Sequence, residues 1–248
     1  MTIRSAALAV SLATGLVTAL DSAGLAASPL PSEVPANPMA SAVIDPADFS
    51  ATVDNPWFPL VPGTTLKYRG STEGRALVDV FEVTRETAII DGVPCVVIRD
   101  TVTEAGQVVE QTVDWYTQDR LGNVWYFGEE TRTLDAKGNV LSTEGTWQAG
   151  VDGAQPGIFM PAEPQVGQSF QQESYPGHAE DWFVVLQMGV PVTVPYGAFP
   201  GALVTAEWTP LEPGMLGEKV YVKGIGLVKE LDVTGSDEVL ELVRVTTP

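Results

Sequence analysis

From Thr64 to Val245, β-branched and aromatic residues alternate with polar ones in short runs, and the runs are broken by Gly, Asn, Asp and Pro. A period of two puts successive side chains on opposite faces of a strand, whereas an amphipathic helix needs apolar residues three and four apart over several turns. No segment sustains the helical pattern. Strands are predicted at Thr65–Arg69, Leu77–Thr84, Cys95–Thr103, Gln107–Thr117, Val124–Thr131, Val140–Gln148, Gln168–Glu173, Ala179–Met188, Val192–Pro195, Ala202–Thr209, Lys219–Val222, Leu227–Val233 and Val239–Val245. Strands punctuated so regularly imply an all-β chain: an antiparallel meander forming a barrel, half-barrel or sandwich, with little helix. One helical turn is expected at Asp45–Phe49, where Asp precedes Pro at a first helical position.

The sequence Asp-x-x-Gly-Asn-Val occurs twice, at Asp119 and at Asp135. A three-residue hairpin loop commonly ends in a left-handed residue, a position that Gly122 and Gly138 take without steric cost. Asp and Asn at the flanks fit the same turn. A calcium loop would need more oxygen ligands in alternation, and Leu121 and Lys137 stand where a second carboxylate would help. Two hairpin turns are therefore expected, and they set a register. With Asp119 facing Asn123, Trp115 faces Phe127 and Val113 faces Glu129; with Asp135 facing Asn139, Phe127 faces Trp147. Trp115, Phe127 and Trp147 then line one buried face, joined from the hairpin at Ala105–Gly106 by Val96, Ile98, Val102, Val109 and Val113. Two acids break that face: Asp100, expected opposite Gln111, and Glu129. The reverse face, with Arg99, Thr101, Glu110, Thr112, Asp114, Glu130 and Glu144, is expected to be solvated, with Arg99 reaching Asp114 or Glu110.

The N-terminus changes the picture. Arg4, an apolar run from Ala6 to Leu20 and small residues around Ser22 to Ala27 form a secretory leader at 1–27. The run is about fifteen residues, short of the roughly 20 that cross a bilayer. A Pro/Ser/Ala-rich linker is expected at 28–45 and one β domain at 46–248, so the protein is read as secreted or periplasmic, with no transmembrane segment. Cys95 is the sole cysteine, which precludes an intrachain disulfide and leaves no thiol after the leader for acylation. The net charge of -19, from 32 acidic and 13 basic residues, disfavours nucleic acid and anionic membranes as partners. A small or apolar molecule remains compatible with it.

Familiar catalytic signatures are missing: there is no Gly-x-Ser-x-Gly, His-Glu-x-x-His, phosphate loop or dinucleotide fingerprint. No cofactor or metal is implied. The single histidine lies in "SYPGHAEDWFVVLQM", where a period of two puts His178, Glu180 and Trp182 on one face. A His-Glu pair at the mouth of a core could move protons or ligate a metal, but a lone His beside a turn is more often simply solvated. Glu129 among aromatic rings could be an acid of raised pKa or the polar anchor of a ligand. Three functions stay open: a non-catalytic domain binding a small or apolar ligand through Glu129, Trp115, Phe127, Trp147, His178, Glu180 and Trp182; a barrel enzyme using Glu129, His178 and Glu180; or a structural, surface-interaction domain.

"DNPWFPLVPGTTLKYRG" leads the chain into its first strand through three prolines, with Trp57 and Phe58 expected to plug one end of the core. "VPYGAFPGALVTAEW" and "KVYVKGIGLVKEL", within Val194 to Leu231 and taken with Asn55 to Gly63, loosely resemble exported bacterial β-proteins of unknown function, LolA-like in type. That resemblance implies a curved antiparallel sheet around apolar ligands and an exported location, and it brings no catalytic residue with it.

Overall fold

The computed structural model describes residues 44–248. The leader expected at 1–27 and nearly all of the linker expected at 28–45 lie outside the described residues. At the start of the described chain, Asp45 caps a 3-10 turn at Pro46–Asp48, its carboxylate accepting from the Ala47 N–H at 3.0 Å.

The strands are β1 (Phe49–Ser50), β2 (Thr65–Thr72), β3 (Arg75–Ile90), β4 (Val93–Glu104), β5 (Gln107–Asp119), β6 (Val124–Leu134), β7 (Val140–Ser142), β8 (Trp147–Gln148), β9 (Gln155–Met160), β10 (Ser169–Gln171), β11 (Glu173–Ser174), β12 (Trp182–Val194), β13 (Gly197–Trp208), β14 (Leu216–Val222), β15 (Gly226–Thr234) and β16 (Val239–Thr246). They form one antiparallel sheet in the order β10-β12-β13-β14-β15-β16-β2-β3-β4-β5-β6-β9-β11. The all-β meander read from the period of two is what the chain forms.

The two ends of this order meet in the chain itself. β10 pairs with β12 and β11 pairs with β9, with only Gln172 between them, so one short stretch bonds to both ends of the sheet and nearly closes it into a barrel. Gly157 on β9 permits the approach, since a Cβ there would lie 2.2 Å from the Gln171 carbonyl and 2.4 Å from that of Gln172. The Pro-Gly pair in β9 reads as a turn in the sequence, and β9 goes unpredicted. Other bounds differ as well. The single strands expected at Val140–Gln148 and Gln168–Glu173 are each two short ones, and most of those expected at Ala179–Met188 and Val192–Pro195 joins into β12, which begins at Trp182 and carries irregularities around Gly189, where φ is +73°.

Both Asp-x-x-Gly-Asn turns form as expected. The Asp119 N–H donates to the Asn123 carbonyl at 3.0 Å, the Asp135 N–H donates to that of Asn139 at 2.9 Å, and Gly122 and Gly138 have φ of 90° and 80°. The register they set runs up β5 and β6 only as far as Tyr116 opposite Tyr126. Beyond that point Asp114 pairs with Glu129, so Trp115 faces two residues, Phe127 and Gly128. In the hairpin before it, Thr103 pairs with Val108 but Val102 with Glu110, leaving Val109 as an extra residue. Each bulge reverses which parity of the strand points inward. The expectation that Val109 and Val113 point in, with Glu110, Thr112 and Asp114 solvated, is therefore corrected: these three polar residues are buried, and Asp100 faces Thr112 rather than Gln111. Arg99 stays outside and pairs with Glu86 at 2.9 Å, not with Asp114 or Glu110.

Trp57 and Phe58 do enter the barrel end. Asn55 fixes the entry: its Oδ1 accepts from the Trp57 N–H at 2.8 Å, and its Nδ2 donates to the Gly122 and Pro161 carbonyls. The Phe58 ring then sits among Phe81, Tyr116, Phe159 and Tyr221, with centroid separations of 4.6 to 6.4 Å.

Candidate functional site

The candidate site is a small cavity, open to solvent on one side, at the end of the barrel that Phe58, Pro59 and Leu60 enter. Its apolar wall is built by Leu66 and Phe81 from β2 and β3, Phe159 from β9, and Ile225 and Leu227 at the β14–β15 turn. Its polar groups are Tyr68, Asp79, Asp100, Tyr116 and Lys219. The register explains their convergence: Leu66 faces Phe81 and Phe81 faces Asp100, while Tyr68 faces Asp79, so the pairs form two neighbouring inward rows.

Asp79 is 2% exposed and Asp100 is 8% exposed. Their carboxyl groups hydrogen-bond to each other, which requires a proton on one of them. Burial raises both pKa values above the ordinary carboxylate range, and the neighbouring carboxyl group of Asp100 adds to the desolvation at Asp79. Oδ1 of each residue receives no hydrogen bond from an N–H or hydroxyl donor. The Tyr68 hydroxyl, by contrast, is committed to the Leu227 carbonyl at 3.0 Å. Lys219 is 3% exposed, and its ammonium is held by Glu207 at 2.6 Å with Glu230 at 4.0 Å. Burial opposes its charge, but these two carboxylates outweigh it and raise its pKa well above the usual lysine value.

The aromatic row expected from the turns is divided between the two faces of the sheet. Tyr126 stacks on Tyr116 at 4.7 Å and meets Trp147 edge-on at 5.5 Å inside the barrel. Phe127 alternates with Tyr126 and packs on the other side against Phe49 at 5.7 Å, and Trp115 is half-buried on that same outer side. The shared face of Trp115, Phe127 and Trp147 is therefore corrected; the Gly128 bulge separates Trp147 and Glu129 from the other two. Gly128 has φ of 128°, and a Cβ there would lie 2.4 Å from the Trp147 carbonyl, so β8 approaches at a point only glycine allows. Glu129 is buried at 1% exposure, with Oε1 unpartnered. Desolvation first, then the charges of Glu173 and Asp114, hold its pKa well above the usual range. It does not line the cavity described above.

His178, Glu180 and Trp182 do not form the expected strand face, because β12 begins only at Trp182. His178 is exposed and stacks on Tyr175 at 4.3 Å; the Glu180 carboxylate accepts from the Gly177 N–H at 2.6 Å and closes the turn. Trp182 faces outward and stacks on Trp208, while Phe183 and Val185 hold the inward parity that Lys219 shares through Thr205. Cys95 is buried, and its thiol pKa is pushed up to about 12 by burial. Asp79 is the residue that sequence reasoning missed. Its signal is its parity: it alternates with Leu77, Phe81 and Val83 on one face of β3.

Among the described residues no group of three or more His, Cys, Asp or Glu is arranged to hold a metal ion, and no helix is long and apolar enough to cross a membrane. The chain matches no protein-family model and no curated protein. Among solved structures, it is similar to a Bacteroides fragilis protein classed as exported, with a YmcC-like fold: 16% identity, 77% of this chain and 99% of that one covered, TM-score 0.44. It is also similar to a Parabacteroides distasonis protein classed as a lipoprotein: 12% identity, 76% and 97% covered, TM-score 0.40.

Proposed function

We propose that this chain is an exported, non-catalytic β-barrel that holds a small molecule with an apolar body in the cavity beside Phe58. The observation that carries the reading is the cavity's composition: an apolar and aromatic wall from Phe58, Leu66, Phe81, Phe159 and Leu227 around a few buried polar groups. Small-molecule sites are built in this way, and barrel mouths are a usual place for them. The leader read at 1–27 and the LolA-like resemblance of Val194 to Leu231 agree with an exported carrier of apolar ligands. Glu129 and Trp147 belong to the same interior and are assigned to supporting the wall behind the cavity.

A thermal-shift screen of small apolar molecules, including 1-hexanol, toluene and indole, tests the proposal. A ligand that binds the folded state raises Tm in a saturable manner. Leu227→Trp, which fills the cavity, should abolish the shift while leaving the circular dichroism spectrum unchanged. If no probe gives a saturable shift, or if Leu227→Trp responds like the wild type, the cavity is not a binding site.

A further inference from the structure

β15 and β16 part beside the cavity. Their ladder holds from Lys229 opposite Glu241 to Leu231 opposite Val239 and stops short of Leu227, Val228 and Leu242. The tip of the β12–β13 hairpin covers this split. β13 bonds to β14 from Ala202 to Glu207, so residues 190–201 overhang as a two-stranded ribbon paired with itself, Val192 opposite Phe199 and Val194 opposite Gly197. One face of the ribbon is apolar: Val194 is buried in one cluster with Val222, Val228 and Leu242, and Val192 and Phe199 pack against that cluster. Thr193, Ala198 and Pro200, on the other face, are exposed. The same cluster runs into the cavity wall, since Leu66 and Tyr68 belong to it and Ile225 and Leu227 pack on it.

The ribbon is tied lightly and jointed at its base. The Tyr196 N–H, at its tip, donates to the Leu242 carbonyl at 3.0 Å. Where it leaves the sheet, the β12 register is irregular between Met188 and Val192, Gly189 has φ of +73°, and a Cβ on Gly201 would meet nothing within 4 Å. The barrel end is held more firmly. There Asn55 fixes the Trp57 N–H, the Gly224 N–H donates to the Pro56 carbonyl at 2.7 Å, and the Lys223 ammonium lies 4.9 Å from the Trp57 ring centre.

We infer that residues 190–201 are a flap, hinged at Gly189 and Gly201, whose lifting opens the β15–β16 split as a side entrance through which an apolar ligand passes Leu227 into the cavity. The inference rests on the cavity reading above and adds the route of entry to it. An element with few ties to the body of a fold opens at a lower free energy than the whole molecule unfolds, and the lids of ligand sites are drawn from such elements. Lifting the ribbon uncovers Val228 and Leu242, which are both 0% exposed when it is down, and joins their apolar surface to that of the cavity.

Thiol labelling of the full chain carrying Val228→Cys tests the motion without a ligand, and Cys95, buried at 0% exposure in the other core cluster, serves as the internal standard for global unfolding. In native buffer the introduced thiol should react at least about 100-fold faster than Cys95. Its rate should also barely change up to about 2 M urea, whereas that of Cys95 should climb steeply, because the slope follows the surface that each opening exposes. Should Val228→Cys not fold, hydrogen exchange of the wild-type Tyr196 N–H against that of Val204 gives the same comparison. The route is read from the exchange of toluene between free and bound states by proton NMR. Val194→Ser, which weakens the underside of the flap, should speed association and release alike by about fivefold or more and leave Kd within about threefold, since gating changes rates without changing the bound state. Equal labelling rates or equal urea slopes for the two thiols, or the same two exchange rates for Tyr196 and Val204, would show that the ribbon opens only with the whole fold. Toluene that binds with rates indifferent to Val194→Ser would show that it enters by the barrel end. Each of these results overturns the flap and leaves the cavity reading standing, whereas failure of toluene, indole and 1-hexanol to bind the wild type overturns the cavity reading and the entrance with it.

Discussion

Asp79 and Asp100, on adjacent strands of the barrel wall, are bonded carboxyl to carboxyl. With the buried Asp114 and Glu129 and the partly buried Glu230, they are acids whose pKa values are raised, in each case chiefly by desolvation. Folding therefore takes up protons at any pH between the unfolded values, near 4, and the raised folded ones. Stability is fullest below the unfolded values and falls as pH rises through the folded values. Tm should be higher at about pH 5 than at about pH 8. A Tm that rises over that interval would contradict the burial of these acids, and Asp79→Asn/Asp100→Asn should flatten the slope.

Lys219 is expected to be costly to remove. Lys219→Met strands the partly buried Glu207 carboxylate, and since breaking a fully buried pair from one side costs about 3–5 kcal/mol, a loss of about 2–4 kcal/mol is expected. Adding Glu207→Gln should recover most of that loss, so denaturant unfolding of the two single variants and the double variant should give strong coupling. Additive losses would show that the pair is not formed.

Glu129→Gln should raise stability more near pH 8 than near pH 4, because the cost of keeping the buried carboxyl protonated grows as pH rises above its unfolded value. Glu130 is exposed and paired with Arg132, so Glu130→Gln should stay within about 0.5 kcal/mol at either pH. Destabilisation by Glu129→Gln at both values would mean that the acid has a partner for its charged form.

Gly122→Val and Gly138→Val should each cost on the order of 1–2 kcal/mol through the left-handed backbone, read from denaturant midpoints. Calcium should leave Tm unmoved. The Asp119 carboxylate already accepts from the Leu121 and Asn123 N–H groups, the Asn123 amide and the Trp125 indole, which leaves little for a cation. A rise in Tm with calcium would overturn the turn assignment.

The strands and both Asp-x-x-Gly-Asn turns are legible in the sequence because each depends on local chemistry: alternation in one case, glycine at positive φ in the other. Which face turns inward is not, because a single extra residue reverses it, and neither Val109 nor the Phe127–Gly128 step advertises a bulge. The candidate site is half legible. The Ala105–Gly106 hairpin places Asp100 inside from sequence alone, whereas its partner Asp79 and the cavity between them depend on strands far apart in the chain closing around Phe58. β9 is hidden for a similar reason, since its Gly157 is explained by the neighbour it touches rather than by its own segment.

The pairing of β16 with β2 has a kinetic side. Leu242 faces Tyr68 and Val245 faces Leu66, so the strand that completes the sheet is joined to one formed well over a hundred residues earlier. Sheets closed by such distant pairings fold slowly, because the entropy of a long loop must be lost before the contacts form. A ribosome that has yet to release residue 240 holds a chain whose β2 and β15 are both open edges. The acidic cavity can therefore only come into being after synthesis has passed it, and until then those edges are the parts of the molecule most in need of protection from other chains.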